Sequence, residues 1–248
     1  MHSMSDLLDD VLAAYGGLKR WREVRTVSTG VRSWGRTWTG KGQPTLFGGV
    51  TAEAQTTRQA SAVHPFTDES SRGFYTPDRV WIESADGTVL EDRHQPRDAF
   101  AGHVRETPWD HLHGLYFGGY ALWNYFNQPF VAALPGVDAQ EIDPWHEGPG
   151  QDWRRLRLTF PRHVHTHSTV MDLYIDSDGL IAREDYAPEV LGGGPAAHYL
   201  YDYAEHDGIM FPGTRKVVPR PADDRAVVPS DPDSLLIGIE FSGGYVLG

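Results

Sequence analysis

Three times in this chain an Asp-Gly pair sits between short segments in which apolar and polar residues alternate: Asp86-Gly87, Asp178-Gly179 and Asp207-Gly208. A two-residue turn of that kind needs positive φ at both central positions and folds the chain back into an antiparallel hairpin. Parallel pairing would need helices between successive strands, and no helical periodicity fits there. The alternation predicts strands near residues 24–38, 45–62, 71–76, 79–84 and 88–93. A second set, near 152–160, 167–176, 180–187, 196–206, 209–218 and 235–246, reads as a meander. Residues 219–233, rich in Pro and Asp, read as a loop before the last strand.

Two helices interrupt this pattern. Leu7, Leu8, Val11, Leu12 and Tyr15 fall on one stripe of a helix over residues 6–15, capped by Ser5 and ended by Gly16-Gly17. The second lies in WDHLHGLYFGGYALWNYFNQPF (Trp109 to Phe130), where Asp110 can cap a helix over about 112–126. That helix is apolar on nearly every side, which suits packing across the open face of a sheet. No repeat and no linker divides the chain, so residues 1–248 are expected to form one domain. The fold class is mainly β (α+β).

The 22 Lys plus Arg against 34 Asp plus Glu give a net charge of −12, which makes nucleic acid an unsuitable partner. The absence of cysteine excludes a disulfide framework, a thiolate zinc site, an iron–sulfur cluster and a cysteine nucleophile. The longest apolar stretch, Leu115 to Phe126, is broken by Gly118, Gly119 and Asn124, so no membrane span is expected. The opening residues MHSMSDLLDD lack the basic start and apolar run of a secretory signal, which predicts a cytoplasmic protein.

The opening helix followed by AYGGLKRW (Ala14 to Trp21) and a strand, together with DGLIAREDY (Asp178 to Tyr186) and HDGIMFP (His206 to Pro212), resembles the LolA/LolB-type lipoprotein-carrier superfamily. The resemblance implies a strongly curved antiparallel half-barrel wrapped over helices, with an apolar cavity beneath the sheet. Those carriers are periplasmic, and the opening residues here carry no export signal, which puts lipoprotein trafficking in doubt but not an apolar cavity under a curved sheet. The chain is also similar to an uncharacterised group of bacterial soluble proteins through PWDHLHGLYFGGYALWNYFNQPF and GGPAAHYLYDY, a likeness that brings no activity with it.

The chemistry-bearing residues are chiefly histidines. In PRHVHTHS (Pro161 to Ser168) alternate residues of a strand share one face, so His163, His165 and His167 line up with Met171, Leu173 and Ile175. If the strand is unbroken, His165 and His167 project into the cavity. The opposing reading is a turn after Pro161 with exposed rings. A His-x-His pair also has metal-ligand geometry, with His198 or His113 as a third ligand, although no HExxH pattern or Cys ligand supports it. In residues 196–206 either the row His198, Leu200, Asp202 or the row Tyr199, Tyr201, Tyr203 faces inward. His111 and His113 belong to the first turn of the aromatic helix or to the mouth of the cavity. Asp172, Asp176, Asp178, Glu184 and Asp185 read as a solvated outer face and hairpin tips.

These residues support three functions. One is a cofactor-independent enzyme, a lyase, isomerase or cyclase, with His165, His167 and His198 as acid–base groups, Asp202 orienting them, and Tyr120, Trp123 and Met171 shaping the pocket around an apolar small molecule. The second is a non-catalytic carrier of a lipid or other apolar ligand. The third is a scaffold whose interior the aromatic helix fills completely, with no enclosed pocket of roughly 300 Å³ or more. The oligomeric state is not written in the sequence.

Overall fold

The computed structural model describes residues 6–248, so the cap assigned to Ser5 lies outside the described residues. The amino-terminal half runs α1 (Asp6–Ala14), α2 (Gly17–Trp21), β1 (Thr26–Trp34), α3 (Arg36–Gly40), β2 (Val50–Gln55), β3 (Ser61–His64), β4 (Arg72–Thr76), β5 (Arg79–Glu83) and β6 (Val89–His94). The long helix α4 (His111–Asn127) follows. The carboxy-terminal half comprises β7 (Asp138–Gly148), β8 (Gln151–Thr159), β9 (Val170–Ile175), β10 (Ile181–Tyr186), β11 (Ala196–Tyr201), β12 (Ala204–His206), β13 (Ile209–Phe211), β14 (Thr214–Pro219) and β15 (Ile237–Leu247).

Thirteen strands form one sheet in the order β6-β5-β4-β3-β2-β1-β15-β14-β11-β10-β9-β8-β7. Every neighbouring pair is antiparallel, and β1 with β15 joins the two halves. The sheet does not close, because β6 and β7 remain as edges. It is a half-barrel, with α4 lying against β2 to β6.

The helix forms where the sequence places it. Asp110 accepts a hydrogen bond from the His113 backbone N–H at 2.8 Å, while the Asp110 N–H donates to His113 Nδ1 at 3.4 Å, a reciprocal cap. Every α4 residue from Gly114 to Asn127 is buried, which accounts for a helix with no polar face. Among the described residues no helix is long and apolar enough to cross a membrane.

Four features differ from the sequence expectation. The segment 24–38 is strand only as far as Trp34, and Arg36–Gly40 forms the short helix α3. The segment 45–62 is the hairpin β2–β3 rather than one strand. Each of the segments 196–206 and 209–218 breaks in two, at Asp202 (φ 60°) and before Thr214, so that β12 and β13 leave the meander as a separate two-stranded sheet. Strand β7 was not anticipated: it is an exposed edge strand with Pro144 inside it and a register shift between Ile142 and Trp145, where alternation is weakest.

The Asp-Gly turns also differ among themselves. Only Asp207-Gly208 has positive φ at both residues, 50° and 81°. The other two pairs sit in longer loops, where Asp86 and Asp176 carboxylates accept backbone N–H groups. The tight turn at 207–208 packs on Gly16, where a Cβ would lie 1.9 Å from the Gly208 carbonyl oxygen. Gly16, at φ 104°, therefore both ends the α1 region and admits the hairpin.

A second apolar layer covers the outer face of the carboxy-terminal strands. Trp153, Tyr174, Tyr199 and Leu235 are buried there, with Ala226 and Val228 of the 220–231 loop packed over them. Within this layer Arg183 is fully buried, its guanidinium 4.7 Å from the Tyr174 ring and paired with Asp185 at 2.7 and 2.8 Å. Strand β10 consequently has both faces covered. The expectation that Asp172, Glu184 and Asp185 form a solvated face is overturned, since all three are buried.

Candidate functional site

The segment between β8 and β9 crosses the concave side. It is not a continuous strand: residues 160–169 are irregular, and β9 begins at Val170. His163 is exposed, as a turn after Pro161 requires, while His165 is half-buried and His167 buried. The row Met171, Leu173, Ile175 faces the core as expected. The inward aim of His165 and His167 comes instead from partners on α4 and from Gln59, whose side-chain amide bonds both the N–H and the carbonyl of His165.

The two histidines do not share a ligand. Arg97 donates to the Tyr116 hydroxyl at 3.0 Å, which leaves that hydroxyl to donate to His165 Nδ1, also at 3.0 Å. His167 lies between two tyrosines: Tyr120 Oη is 3.1 Å from Nδ1 and Tyr125 Oη is 2.9 Å from Nε2. A neutral imidazole has one donor and one acceptor, so one tyrosine donates to it and the other accepts. Burial pushes His167 down to about 3, and the cations Arg97 and Arg215 act in the same direction against the pull of Glu184.

On the neighbouring strands the row containing His198 faces inward, and Tyr199 and Tyr201 belong to the outer layer. His198 and Glu184 are register partners, with His198 Nδ1 2.7 Å from Glu184 Oε1. Burial would raise Glu184, but His198, Arg215 and Gln128 hold it down to about 2. Arg215, itself buried, lies 3.4 Å from Glu184, donates to Gln128 Oε1 at 3.0 Å and stacks 4.2 Å over the Tyr125 ring. Tyr186 stacks on His167 at 4.5 Å and places its hydroxyl 3.1 Å from His198 Nδ1. Polar side chains thus run through the core in two hydrogen-bonded groups, Tyr120–His167–Tyr125 and Tyr186–His198, the second ending 2.7 Å from Glu184.

The remaining anticipated residues lie elsewhere. Asp202 is exposed at the end of β11, because the break there takes it off the His198 face. His111 sits beside Glu91 at the outer start of α4, and His113 is occupied with Asp110 and the Ala99 carbonyl. Trp123 directs its indole N–H to the Gln55 and Arg58 carbonyls, and Met171 is core. The His-x-His metal arrangement does not form, since each ring has its own tyrosine partners. Among the described residues no three His, Cys, Asp or Glu groups are placed to hold a metal ion.

Beside these groups lies a cavity of about 210 Å³, smaller than the roughly 300 Å³ of an enclosed ligand pocket, a size that also fits the filled-scaffold reading. Phe117, His167, Tyr186, Leu191, Val217 and Ile237 line its inner part, and Arg36, Lys41 and Arg105 lie at its rim. The sequence pointed to His167 but missed Tyr125, Glu184, Tyr186, Arg215 and the rim. The one available signal was REDY (Arg183 to Tyr186), four polar residues in a row within a predicted strand.

Geometry and topology define a LolA-like half-barrel, an open antiparallel sheet with a buried helix in its concavity. Comparison with solved structures agrees over nearly the whole chain. A DUF1329 family protein from Desulfovibrio piger aligns with a TM-score of 0.56 at 10% identity, covering 97% of this chain and 91% of that one. A putative outer membrane lipoprotein-sorting protein domain from Vibrio parahaemolyticus gives 0.53 at 8% identity, with coverage of 98% and 91%. A LolA superfamily protein from Nitrosomonas europaea gives 0.50 at 9% identity, with coverage of 96% and 92%. No protein-family model matches the sequence, and no curated protein matches it either.

Proposed function

We propose that the protein binds an apolar small molecule in the cavity beside His167 and carries it unchanged. The observation behind this reading is the state of the cavity wall: its inner lining is apolar or aromatic, and both nitrogens of its one histidine are already bonded to tyrosines. A carrier needs such a surface, whereas an acid–base enzyme needs a titratable group with a free position facing its substrate. The fold neighbour named as a putative outer membrane lipoprotein-sorting protein domain favours the same class. Helix α4 fills much of the concavity, so the ligand is small, a single short chain or ring.

A displacement assay with a fluorescent naphthylamine probe tests this. Wild-type protein is expected to bind the probe and release it to octanol. Val217→Trp, which fills the cavity from β14, is expected to weaken binding at least about tenfold while leaving the far-ultraviolet dichroism unchanged. Equal binding by the two proteins overturns the assignment.

A second reading, proton transfer by His167, is favoured by its hydrogen bonds to Tyr120 and Tyr125 beside the cavity. It predicts that a bound compound changes mass or isomer on incubation and that His167→Gln stops the change. Recovery of the compound unaltered from wild-type protein removes that reading.

A further inference from the structure

We infer that the cavity mouth is an anion site, in which Arg36 and Arg105 hold the acidic head of an amphiphile whose tail enters between Phe117 and Val217. This inference rests on the apolar-ligand reading and adds the chemistry of the ligand's polar end.

The charge distribution around the cavity carries the argument. The chain has 34 acidic against 22 basic residues, yet the cavity is lined by three cations, Arg36, Lys41 and Arg105, and by no Asp or Glu. Arg36 and Arg105 are exposed, and among the described residues neither guanidinium has an ion-pair or hydrogen-bond partner. Other arginines in this protein do find one, as Arg79 does with Asp92, Arg93 with Asp110 and Arg157 with Asp172. Two unpaired guanidiniums lining one opening of an acidic protein, with Glu106 the nearby carboxylate that acts on Lys41, form a local positive field that recruits anions.

The rim is also built. Lys41 is buried, and its ammonium donates to the carbonyls of Val104, Arg105 and Thr107 at 3.3, 2.8 and 3.0 Å. With all three of its protons engaged, Lys41 is a positioning residue and not the ligand contact. It ties the 104–107 segment to the end of α3, and so brings Arg105 to the same opening as Arg36. Guanidinium groups bind carboxylate and phosphate oxygens through paired N–H donors, which makes an acidic head the fitting one.

Calorimetric titration of the whole protein with octanoate, octanol and inorganic phosphate separates the possibilities. Octanoate is expected to bind about tenfold more tightly than octanol at low salt, with added sodium chloride eroding only the octanoate affinity. The Arg36→Gln/Arg105→Gln double variant is expected to bind both equally, at the octanol level. Phosphate alone should bind weakly, because it lacks the tail. Equal binding of octanoate and octanol by wild type, or a preference that survives in the double variant, overturns the anion site while leaving the cavity as an apolar one. Phosphate binding as tight as octanoate overturns the amphiphile in favour of a free anion. Failure of both octyl compounds to bind removes the apolar-ligand reading itself, and this inference with it.

Discussion

Glu184 and His198 face each other across β10 and β11, with 2.7 Å between Oε1 and Nδ1 and both side chains fully buried. The hydrogen-bond partner of His198 Nδ1 is the Tyr186 hydroxyl at 3.1 Å, and its buried Nε2 has none. The negative charge of Glu184 is balanced by Arg215, also in the core. The pair is therefore the polar centre around which the apolar interior is organised.

Removing the Glu184 charge should be costly. Glu184→Gln leaves the Arg215 guanidinium buried without its counter-ion, and a loss of about 3–5 kcal/mol is expected in urea denaturation. The double variant Glu184→Gln/Arg215→Met removes both charges and should recover part of that loss. A Glu184→Gln variant within about 0.5 kcal/mol of wild type would show that the charge is not held as described.

Acid should destabilise the fold over a wide range. His167 is pushed from 6.5 down to about 3 by burial, and Glu184 from 4.5 down to about 2 despite burial. In both cases the unfolded chain binds the proton first. The stabilisation is complete above pH 6.5 for the histidine and above 4.5 for the carboxylate, and it is lost as pH falls through the folded-state values. The His167 contribution over that whole span is on the order of 5 kcal/mol. Urea midpoints measured from pH 7.5 to 4.5 should fall, and His167→Phe should make that slope shallower; an unchanged slope would contradict the assignment.

Gly119→Ala should lower stability although alanine favours a helix by about 1 kcal/mol. A Cβ at this position would lie 2.4 Å from Tyr75 Cβ and 2.6 Å from its Cγ, and Tyr75 is fully buried. Overpacking of that kind costs about 1–3 kcal/mol. A fall in Tm of roughly 2–12 °C is expected in calorimetry, and a rise would mean that α4 can move off β4.

Gln59→Ala should loosen the crossing segment without unfolding the domain. The two bonds from its amide to the His165 backbone are the tie between the β2–β3 turn and residues 160–169. Faster tryptic cleavage after the exposed Arg162 is expected, with a global loss of only about 1–2 kcal/mol. Unchanged cleavage would mean that the tyrosine bonds to His165 and His167 hold the segment unaided.

Local chemistry wrote much of this protein into its sequence. The cap at Asp110, the seamless apolarity of Leu115 to Phe126, the hairpin at Asp207-Gly208 and the inward row Met171, Leu173, Ile175 depend on near neighbours and on side-chain period, and the chain states both directly. The likeness to a LolA-type half-barrel was legible for the same reason, as an order of elements. What lay beyond it needed distant partners. Glu184 and Asp185 are buried because the 220–231 loop and α4 cover opposite faces of one strand, and no periodicity records that two faces are covered. His165 and His167 turn inward, and His163 outward, because Gln59 and three tyrosines of α4 meet an irregular segment. Arg36 and Arg105, 69 positions apart in sequence, share one opening only through the anchorage of Lys41. Burial and convergence are properties of contacts between remote segments, so tertiary structure alone decided where this protein keeps its buried polar groups and where its cavity opens.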